Sequence, residues 1–471
     1  MAAILGGGLG GLSTGYYLLK NCVNAHMKLA LFEASDFYGG WIRSIRTNDY
    51  IFEQGPRTIR PKGPYGLNTL NMIQELGLSE HVSAVLPSHP AATTRMVCVG
   101  HTLHTLPSRF SQIFTKTKPF SKPLILAALH DLTQPGLELK DDSIYNFVSR
   151  RFGQELADYA VSPMICGICA GDAKEISVKF LMKTLFEYEQ THGGVLKGVV
   201  KNMFKPQPEN EQALSELALK SQEERWSVYT LQGGLETLPE TLKEHLVNNN
   251  VEVHSNSKIE EIEFVDSSSV LLRNKKGEIL DLKHVYSAIP AHALAKLVER
   301  QHPHLSEQLE QIPFVNVGIV NLFFDSQETL IAPAFGFLVP PKENSPILGV
   351  VFDSCCNPEQ KGTVLTVMLG GRWFKERFGD NITKDQLLAI AMKEVRSILK
   401  ITMEPTVSHV NILEKCIPQY VIGHYDRVEY IRKYIKQHNL PLSLVGCSYD
   451  GVGINDVIYS AKAQVERDCT V

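Results

Sequence analysis

The chain begins Met1-Ala2-Ala3-Ile4-Leu5-Gly6-Gly7-Gly8-Leu9-Gly10-Gly11. Its pattern predicts a buried strand over Met1 to Leu5, a helix over Gly11 to Lys20 and a second strand over Lys28 to Phe32. The glycines of Gly6-x-Gly8-x-x-Gly11 fall at the turn of this βαβ unit. The first allows a tight turn, the second lets backbone approach a pyrophosphate, and the third lets helix pack on strand. The pattern therefore predicts a dinucleotide site at the start of the helix.

Glu33 stands at the end of the second predicted strand. Its carboxylate can accept hydrogen bonds from the hydroxyls of an adenosine ribose. A plain glycine-rich turn followed by a surface glutamate is the alternative, and the complete βαβ context favours the nucleotide site.

Two more glycine-bearing turns follow this unit, Gly39-Gly40-Trp41 with Arg43 and then Gly55-Pro56-Arg57-Thr58. Glycine suits places where backbone runs close to a long ligand. A nicotinamide fold does not need these turns, so together they indicate FAD rather than NAD. Taken alone, either segment is more typical of an ordinary hairpin turn.

A last glycine-rich segment joins a predicted strand at Leu442 to Val445 to a predicted helix from about Asn455 to Val465. It reads Gly446-Cys447-Ser448-Tyr449-Asp450-Gly451-Val452-Gly453-Ile454. Its backbone N–H groups and the positive end of the helix dipole face whatever binds there. Beside a flavin pyrimidine, that positive end would stabilise the reduced ring. As an isolated feature the segment also fits a plain helix start.

The composition limits the class of protein. With 471 residues, 44% of them apolar and 21% charged, we expect a folded globular chain of two or three domains. A formal net charge of -4 gives no indication of a nucleic acid partner. The nine cysteines are scattered, and Cys166-x-x-Cys169 has no second ligand pair near it. We therefore expect mostly buried, reduced thiols and no zinc site or disulfide framework.

No apolar run reaches the roughly 18 residues that a membrane-spanning helix needs. Only five residues precede Gly6, which leaves no room for a cleavable signal or transit peptide. We therefore expect any organelle address to be internal.

The remaining patterns divide the chain. From about Arg95 to Lys205 the pattern is helical and broken by prolines, which predicts a separate helical module. Strand patterns at 251–254, 270–273 and 285–289 resemble later strands of the first domain. A second sheet is predicted from β-rich runs at 315–324, 336–339, 347–352 and 363–369.

Taken together, these segments resemble the FAD-dependent amine-oxidase-like superfamily and, within it, the oxygen-dependent protoporphyrinogen oxidase family of animals. The likeness runs from Leu5 to about Ser460. Its more specific marks are Gly39-Gly40-Trp41-Ile42-Arg43-Ser44, Phe52-Glu53-Gln54-Gly55-Pro56-Arg57, His89-Pro90-Ala91-Ala92, Gln232-Gly233-Gly234-Leu235-Glu236, Thr366-Val367-Met368-Leu369-Gly370-Gly371 and Cys416-Ile417-Pro418-Gln419-Tyr420.

The resemblance implies an α/β fold, α+β overall. It would comprise an FAD-binding Rossmann-like domain of the amine oxidase/p-hydroxybenzoate hydroxylase type, a mixed-sheet substrate domain and a helical membrane-associated domain. The expected boundaries are 1–45, 222–295 and 440–471 for the discontinuous FAD-binding domain, 46–93, 205–221 and 296–439 for the substrate-binding domain, and 94–204 for the helical membrane-binding domain.

The resemblance also implies roles for single residues, with no acid or base and no metal ligand among them. Arg95 would meet a substrate propionate, and Met164, Gly167, Phe335, Leu338 and Met368 would line a flat macrocycle site. Around Cys166 and Cys169 the chain departs from the animal pattern, which has larger residues there, so the shape of this side of the pocket stays open. Non-covalent FAD contacts are implied for Gly6, Gly7, Gly8, Leu9, Gly10, Gly11, Glu33, Trp41, Gly55, Pro56, Arg57, Thr58, Ile259, Cys447, Val452, Gly453 and Ile454.

The implied activity is the six-electron oxidation of protoporphyrinogen IX to protoporphyrin IX in haem synthesis, with O2 reduced to H2O2. The implied location is the mitochondrial inner membrane, with peripheral attachment on the intermembrane-space side. The resemblance leaves a contact with ferrochelatase and formation of a homodimer open.

Two alternatives stand beside this function. An amine or polyamine oxidase of the same superfamily shares every flavin segment, and Tyr449 would then belong to the aromatic surroundings of the amine. Arg95 distinguishes the two readings. A non-catalytic binding protein on the same fold is the alternative of another class, and a colourless purified protein would favour it.

Near the end of the helical module, Lys197, Lys201 and Lys205 recur every fourth residue. A basic amphipathic helix of this kind can lie in a membrane interface, although its apolar stripe can equally pack on a protein core. Residues 81–130 contain no Asp or Glu and include the basic Arg95, Arg109, Lys116, Lys118 and Lys122. The apolar positions of the predicted helix are Val195, Leu196, Val199, Val200, Met203 and Phe204.

Overall fold

The computed structural model describes residues 1–21, 28–203, 213–326, 333–357 and 360–469. Within them the strands are β1 (Ala2–Leu5), β2 (Leu29–Phe32), β3 (Ser44–Arg46), β4 (Ile51–Glu53), β5 (Val82–Val85), β6 (Met96–Val99), β7 (Thr102–Thr105), β8 (Val228–Leu231), β9 (Glu252–His254), β10 (Ile259–Asp266), β11 (Ser269–Asn274), β12 (Ile279–Leu282), β13 (His284–Ser287), β14 (Phe314–Phe324), β15 (Gly336–Leu338), β16 (Ile347–Phe352), β17 (Thr363–Gly371), β18 (Val407–Pro418) and β19 (Leu442–Leu444).

The α-helices of the same residues are α1 (Leu9–Asn21), α2 (Gly63–Glu75), α3 (Pro90–Thr93), α4 (Ile125–Thr133), α5 (Ile144–Phe152), α6 (Gln154–Leu156), α7 (Ser162–Cys169), α8 (Lys183–His192), α9 (Val195–Asn202), α10 (Glu216–Glu223), α11 (Thr237–Asn248), α12 (Ala291–Val298), α13 (Pro303–Glu310), α14 (Phe374–Phe378), α15 (Lys384–Leu399), α16 (His424–Gln437) and α17 (Ile454–Cys469).

A five-stranded parallel sheet, in the order β19-β13-β1-β2-β9, confirms the predicted βαβ unit and contains the strands predicted at 251–254, 285–289 and 442–445. The strand predicted at 270–273 lies instead in the antiparallel β10-β11-β12 sheet. Both faces of the parallel sheet are covered, which is why its strands read as continuous apolar runs. Ala2 and Ile4 pack among residues of α1, α11 and α17. Ala3 and Leu5 pack among residues of α12, α13, α16 and the β10-β11-β12 sheet. The carboxyl ends of β1, β13 and β19 therefore lie side by side.

The second sheet has seven strands, in the order β18-β14-β17-β16-β15-β6-β7. It confirms the strands predicted between residues 315 and 369. The prediction of helix from about Arg95 is wrong at its start, because β6 and β7 form a hairpin at the edge of this sheet. Gly100 and His101 make the turn with positive φ. Each strand has four residues, too few for their period to stand out from the helical pattern that follows.

The helical module occupies the chain after this hairpin and has its own apolar cluster, drawn from α5, α7, α8 and α9. Inside it, the fully buried Arg151 donates from Nε to Oδ1 of Asp131 at 2.5 Å. The Asp131 carboxylate also accepts the backbone N–H of Leu196 at 2.8 Å and that of Val195 at 3.2 Å. Asp131, which lies in α4, thus caps the N-terminus of α9 and links the two helices. A carboxylate is stabilising at this position because the N-terminal end of a helix is electrostatically positive.

The predicted amphipathic helix is α9, and it ends at Asn202 in the described residues. Val195 is buried and Val199 packs on the module core, whereas Val200 and Met203 are exposed. Phe204 and Lys205 lie outside the described residues. The helix therefore divides its apolar side chains between the protein core and the surface.

The three-domain division stays a prediction, and the elements refine it. Residues 96–105 belong to the mixed sheet. Helix α2, which the prediction placed with the substrate domain, packs its Leu67, Leu70 and Ile73 into the cluster that also holds α1 and α17.

Among the described helices, none combines the length and apolarity that a membrane crossing requires. Nor do the described residues contain a group of three or more His, Cys, Asp or Glu arranged to hold a metal ion. The described free thiols are Cys98, Cys166, Cys169, Cys355, Cys356, Cys416 and Cys447, five of them buried.

Candidate cofactor and substrate cavity

A cavity of about 1470 Å³ lies between the carboxyl edge of the parallel sheet and the seven-stranded sheet. It brings together all six predicted substrate residues: Arg95, Met164, Gly167, Phe335, Leu338 and Met368. Of the predicted cofactor residues it is lined by Gly6, Gly8, Leu9, Gly10, Glu33, Trp41, Gly55, Pro56, Arg57, Thr58, Ile259, Cys447, Val452, Gly453 and Ile454. Gly7 and Gly11 are not among its lining residues.

The first glycine turn follows β1. Gly6 has φ +98, a conformation that favours glycine. A Cβ on Gly11 would stand 1.9 Å from the carbonyl oxygen of Gly6, so this residue serves the packing of α1 on the turn. A Cβ on Gly8 would meet nothing closer than Cα of Gly40 at 3.6 Å. The turn therefore leaves open space at Gly8, where a ligand can approach the backbone.

Glu33 is fixed at the edge of this space. Its Oε2 accepts the backbone N–H of Gly7 at 2.7 Å. Its Oε1 accepts the N–H and the hydroxyl of Ser35, both at 2.8 Å. Gly7 thus holds the carboxylate rather than facing the cavity. The remaining lone pairs of the carboxylate are available to hydroxyl groups of a ligand.

The second and third glycine turns meet behind Trp41. A Cβ on Gly55 would stand 1.8 Å from the carbonyl oxygen of Trp41, so only glycine allows this approach. Gly40, with φ +62, lies against Gly8. The first turn at Gly8 and the second turn at Gly40, 32 residues apart in the sequence, thus form one wall of the cavity together with the third turn.

Arg57 places a positive charge in the cavity wall formed by these glycine turns. Its Nε lies 3.2 Å from Oδ1 of Asp353, and both side chains are largely buried. The other Asp353 oxygen accepts the hydroxyl of Thr366 at 2.6 Å. Burial raises the pKa of Asp353 and Arg57 opposes that rise. Nη2 of Arg57 is buried and has no hydrogen-bond partner in the described residues, so an acceptor atom of a ligand fits it.

Arg95 also lines the cavity, with its guanidinium carbon 4.3 Å from the ring centroid of Phe335. Burial lowers the pKa of Arg95, and the neighbouring Arg60 lowers it further. Arg60 is exposed and lines the same cavity. The sequence analysis did not predict it as a site residue. A largely buried guanidinium whose charge is disfavoured by a second guanidinium beside it is suited to an anionic ligand.

The apolar wall combines α7 with β15 and β17. A Cβ on Gly167 would stand 2.9 Å from Cδ2 of Leu338, so glycine allows the helix to approach the sheet. Cys166 lines the cavity, while the buried Cys169 lies outside it and donates its thiol to the carbonyl of Ile165 at 3.4 Å. Of the two cysteines, Cys166 alone can alter the shape of the pocket directly.

The C-terminal loop closes the cavity at the side of the glycine turns. Gly446 has φ +97, and a Cβ on Gly10 would stand 3.2 Å from its Cα, so the first and last glycine turns touch. Tyr449 does not line the cavity; it is fully buried in the core beneath the parallel sheet. The aromatic residues among the described lining are Phe32, Trp41, Phe335 and Phe337, with no tyrosine.

Comparison with known proteins agrees with this geometry. The flavin containing amine oxidoreductase family matches residues 9–467. The protoporphyrinogen oxidase of Bos taurus is 38% identical over 471 residues, which cover 98% of this chain and 97% of that protein.

Two solved structures share the fold. A crystal structure of a protein from Exiguobacterium sp. 255-15 superposes with a TM-score of 0.80 at 22% identity, covering 100% of this chain and 98% of that one. Cyclohexylamine oxidase from Brevibacterium oxydans superposes with a TM-score of 0.63 at 14% identity, covering 99% and 98%. The α/β architecture is thus that of the amine oxidases. The chain belongs to the flavin containing amine oxidoreductase family and, within it, to the protoporphyrinogen oxidases.

Proposed function

We propose that this oxidoreductase converts protoporphyrinogen IX and three O2 to protoporphyrin IX and three H2O2, using non-covalent FAD, in haem biosynthesis. One observation carries the proposal. A single large cavity joins four glycine-bearing turns, the third of which carries Arg57, to an apolar slot that contains Arg60 and Arg95. Such a cavity suits a dinucleotide beside a flat substrate with two carboxylate arms.

The residues present fit FAD. Gly8 leaves open space beside the N-terminus of α1, which favours a pyrophosphate. Glu33 is held where ribose hydroxyls would reach it. Arg57 has a buried N–H without a partner in the described residues, which suits a flavin carbonyl. When bound, FAD would supply the two-electron acceptor for each round, with O2 as the final electron acceptor.

The chain's own contribution to the reaction is orientation and exclusion of water. Phe335, Leu338 and Met368 surround the apolar ring, and Arg95 and Arg60 offer two cations for the two propionates. Arginine matches a carboxylate with two parallel N–H groups, which fixes direction as well as position. We assign no side chain as general acid or base.

The lining favours a porphyrinogen over an amine. Arg95 and Arg60 would repel a protonated amine, and Tyr449 lies in the core, so it cannot belong to an aromatic enclosure for one. The non-catalytic alternative is disfavoured because both the N-terminal and the C-terminal glycine turns line the cavity.

Anaerobic mixing tests the function directly. The purified yellow protein should lose its flavin absorbance within one turnover on adding protoporphyrinogen IX, because the substrate is the electron donor. Benzylamine and putrescine, at the same concentration, should leave the absorbance unchanged. Bleaching by an amine but not by the porphyrinogen would reverse the assignment, and a colourless protein would favour a non-catalytic role.

For location we propose peripheral attachment to the mitochondrial inner membrane on its intermembrane-space side, through the helical module. Exposed leucines at positions 126, 129 and 132 recur along α4, which contacts α9. Val200 on α9 is 56% exposed, and Met203, just after the end of α9, is 71% exposed. Nearby in sequence, Phe110 is 77% exposed and Phe114 is 52% exposed. The same segment, residues 109–122, contains four basic residues: Arg109, Lys116, Lys118 and Lys122. An exposed apolar surface with basic neighbours supports an interfacial position.

Vesicle flotation checks this surface, here called the α4–α9 surface: Leu126, Leu129, Leu132, Val200 and Met203. Replacing Leu129 and Val200 together by Asp should weaken binding to anionic vesicles about tenfold or more, because it removes apolar area from the lipid and adds repelling charge. Ile279→Asp is the matched control, since Ile279 is 54% exposed on β12, in the β10-β11-β12 sheet outside the helical module. Unchanged flotation of the folded double variant would exclude this surface as the anchor.

A further inference from the structure

Tyr420 contacts the C-terminal glycine loop, residues 446–454, on the side that faces away from the cavity. It follows β18, is almost fully buried, and does not line the cavity. Its hydroxyl donates to the carbonyl oxygen of Cys447 at 2.6 Å. The same hydroxyl accepts the backbone N–H of Gly451 at 2.7 Å. One oxygen atom thus joins both sides of the turn between residues 447 and 451.

His424, the first residue of α16, supports this tyrosine. The two rings are stacked, with centroids 3.8 Å apart and planes 11° from parallel. Nε2 of His424 lies 3.4 Å from the carbonyl oxygen of Tyr449. Burial lowers the pKa of His424 to about 4, so the ring is neutral near pH 7 and can donate one N–H to that carbonyl. Tyr420 and His424 together therefore reach residues 447, 449 and 451.

The loop that they hold borders the cofactor space. Cys447 and the segment Val452 to Ile454 line the cavity, while Gly451, with φ +150, turns the chain between them. Beyond the turn, Gly453 donates its N–H to Oδ2 of Asp456 at 3.1 Å and α17 begins. The direction of the N–H groups at the start of α17 therefore depends on how the turn is held.

We propose that Tyr420 and His424 are positioning residues that set the geometry of the flavin-binding loop and thereby the affinity and reduction potential of the flavin. The proposal rests on flavin binding alone and not on the identity of the substrate. Because both side chains lie behind the loop, they act through the backbone of residues 447–454. The positive end of α17 favours the reduced flavin only when it is aimed at the pyrimidine edge.

Tyr420→Phe is the direct test, since it keeps the ring and the stack but removes the hydroxyl. Cys447 and Gly451 then lose one buried hydrogen bond each. We expect the dissociation constant of FAD to rise about tenfold, as the loss of buried hydrogen bonds of this kind implies. The midpoint potential of the bound flavin should become more negative. In turnover, kcat should fall while KM for protoporphyrinogen stays unchanged.

Tyr425→Phe is the matched control. Tyr425 packs edge-on against both Tyr420 and His424, and no hydrogen bond joins its hydroxyl to the loop in the described residues. Its variant should keep the wild-type FAD affinity and potential. His424→Phe keeps a stacked ring and removes only the contact to Tyr449, so its shift should have the same sign as that of Tyr420→Phe and be smaller.

Two results would overturn the proposal. One is a folded Tyr420→Phe protein with wild-type FAD affinity and wild-type potential. If that variant does not fold, His424→Phe decides, and an unchanged potential there rejects the positioning role. A wild-type protein that takes up no flavin would instead refute the proposed function itself, so the two failures are distinguishable.

Discussion

Gly8→Val should give a folded protein that purifies without flavin and shows no oxidase activity. Within the protein, a Cβ at this position meets Cα of Gly40 at 3.6 Å, an ordinary contact, so the change costs the fold little. The added methyl groups would instead fill the open space beside the start of α1. A pyrophosphate needs close backbone approach at this glycine, and a side chain prevents it.

Gly11→Val provides the contrast within the same motif. There a Cβ would stand 1.9 Å from the carbonyl of Gly6, so this variant should lose its fold rather than only its cofactor. Circular dichroism and thermal melting measure the fold of both proteins, and absorbance near the flavin bands measures the cofactor. Normal yellow colour and activity in folded Gly8→Val would show that the dinucleotide does not lie at this turn.

The parts of the site that could be read from sequence are those that depend on local backbone conformation. Gly6, Gly11 and Gly55 lie where a turn or a close approach of the backbone excludes a side chain. Because only glycine is tolerated at such positions, they are recognisable in the sequence as glycines at characteristic spacings. The prediction of Arg95 and Phe335 as site residues had a different basis. Their residue types are ordinary, and the resemblance to a family singled them out.

Other features could not be read because they depend on contacts between distant segments. Arg60 gains its significance from lying beside Arg95, and Tyr420 from a loop almost thirty residues further on. Nothing near either residue in sequence marks that contact. The β6–β7 hairpin was misread because two four-residue strands at a sheet edge carry little periodic signal.

Arg95→Ala should raise KM for protoporphyrinogen IX more than it lowers kcat. If the guanidinium holds a propionate, the contact is remote from the reacting methylene and contributes equally in the ground and transition states. A hydrogen bond to a charged group is worth roughly 1.5–3 kcal/mol, so KM should rise on the order of tenfold to a hundredfold. Flavin content should not change, because Arg95 packs on Phe335 and belongs to none of the glycine turns.

The same experiment separates substrate binding from a packing effect. A diester of the substrate lacks the carboxylate charges, so wild type and Arg95→Ala should have similar KM values for it. Arg60→Ala should show the same dependence on the acid groups, to a smaller extent because Arg60 is more exposed to water. A loss of packing against Phe335 would instead raise KM for diacid and diester alike. Equal KM values of wild type and Arg95→Ala on the diacid, with FAD fully bound, would remove Arg95 from the substrate site. The preference for a porphyrinogen over an amine would then lose its main electrostatic support.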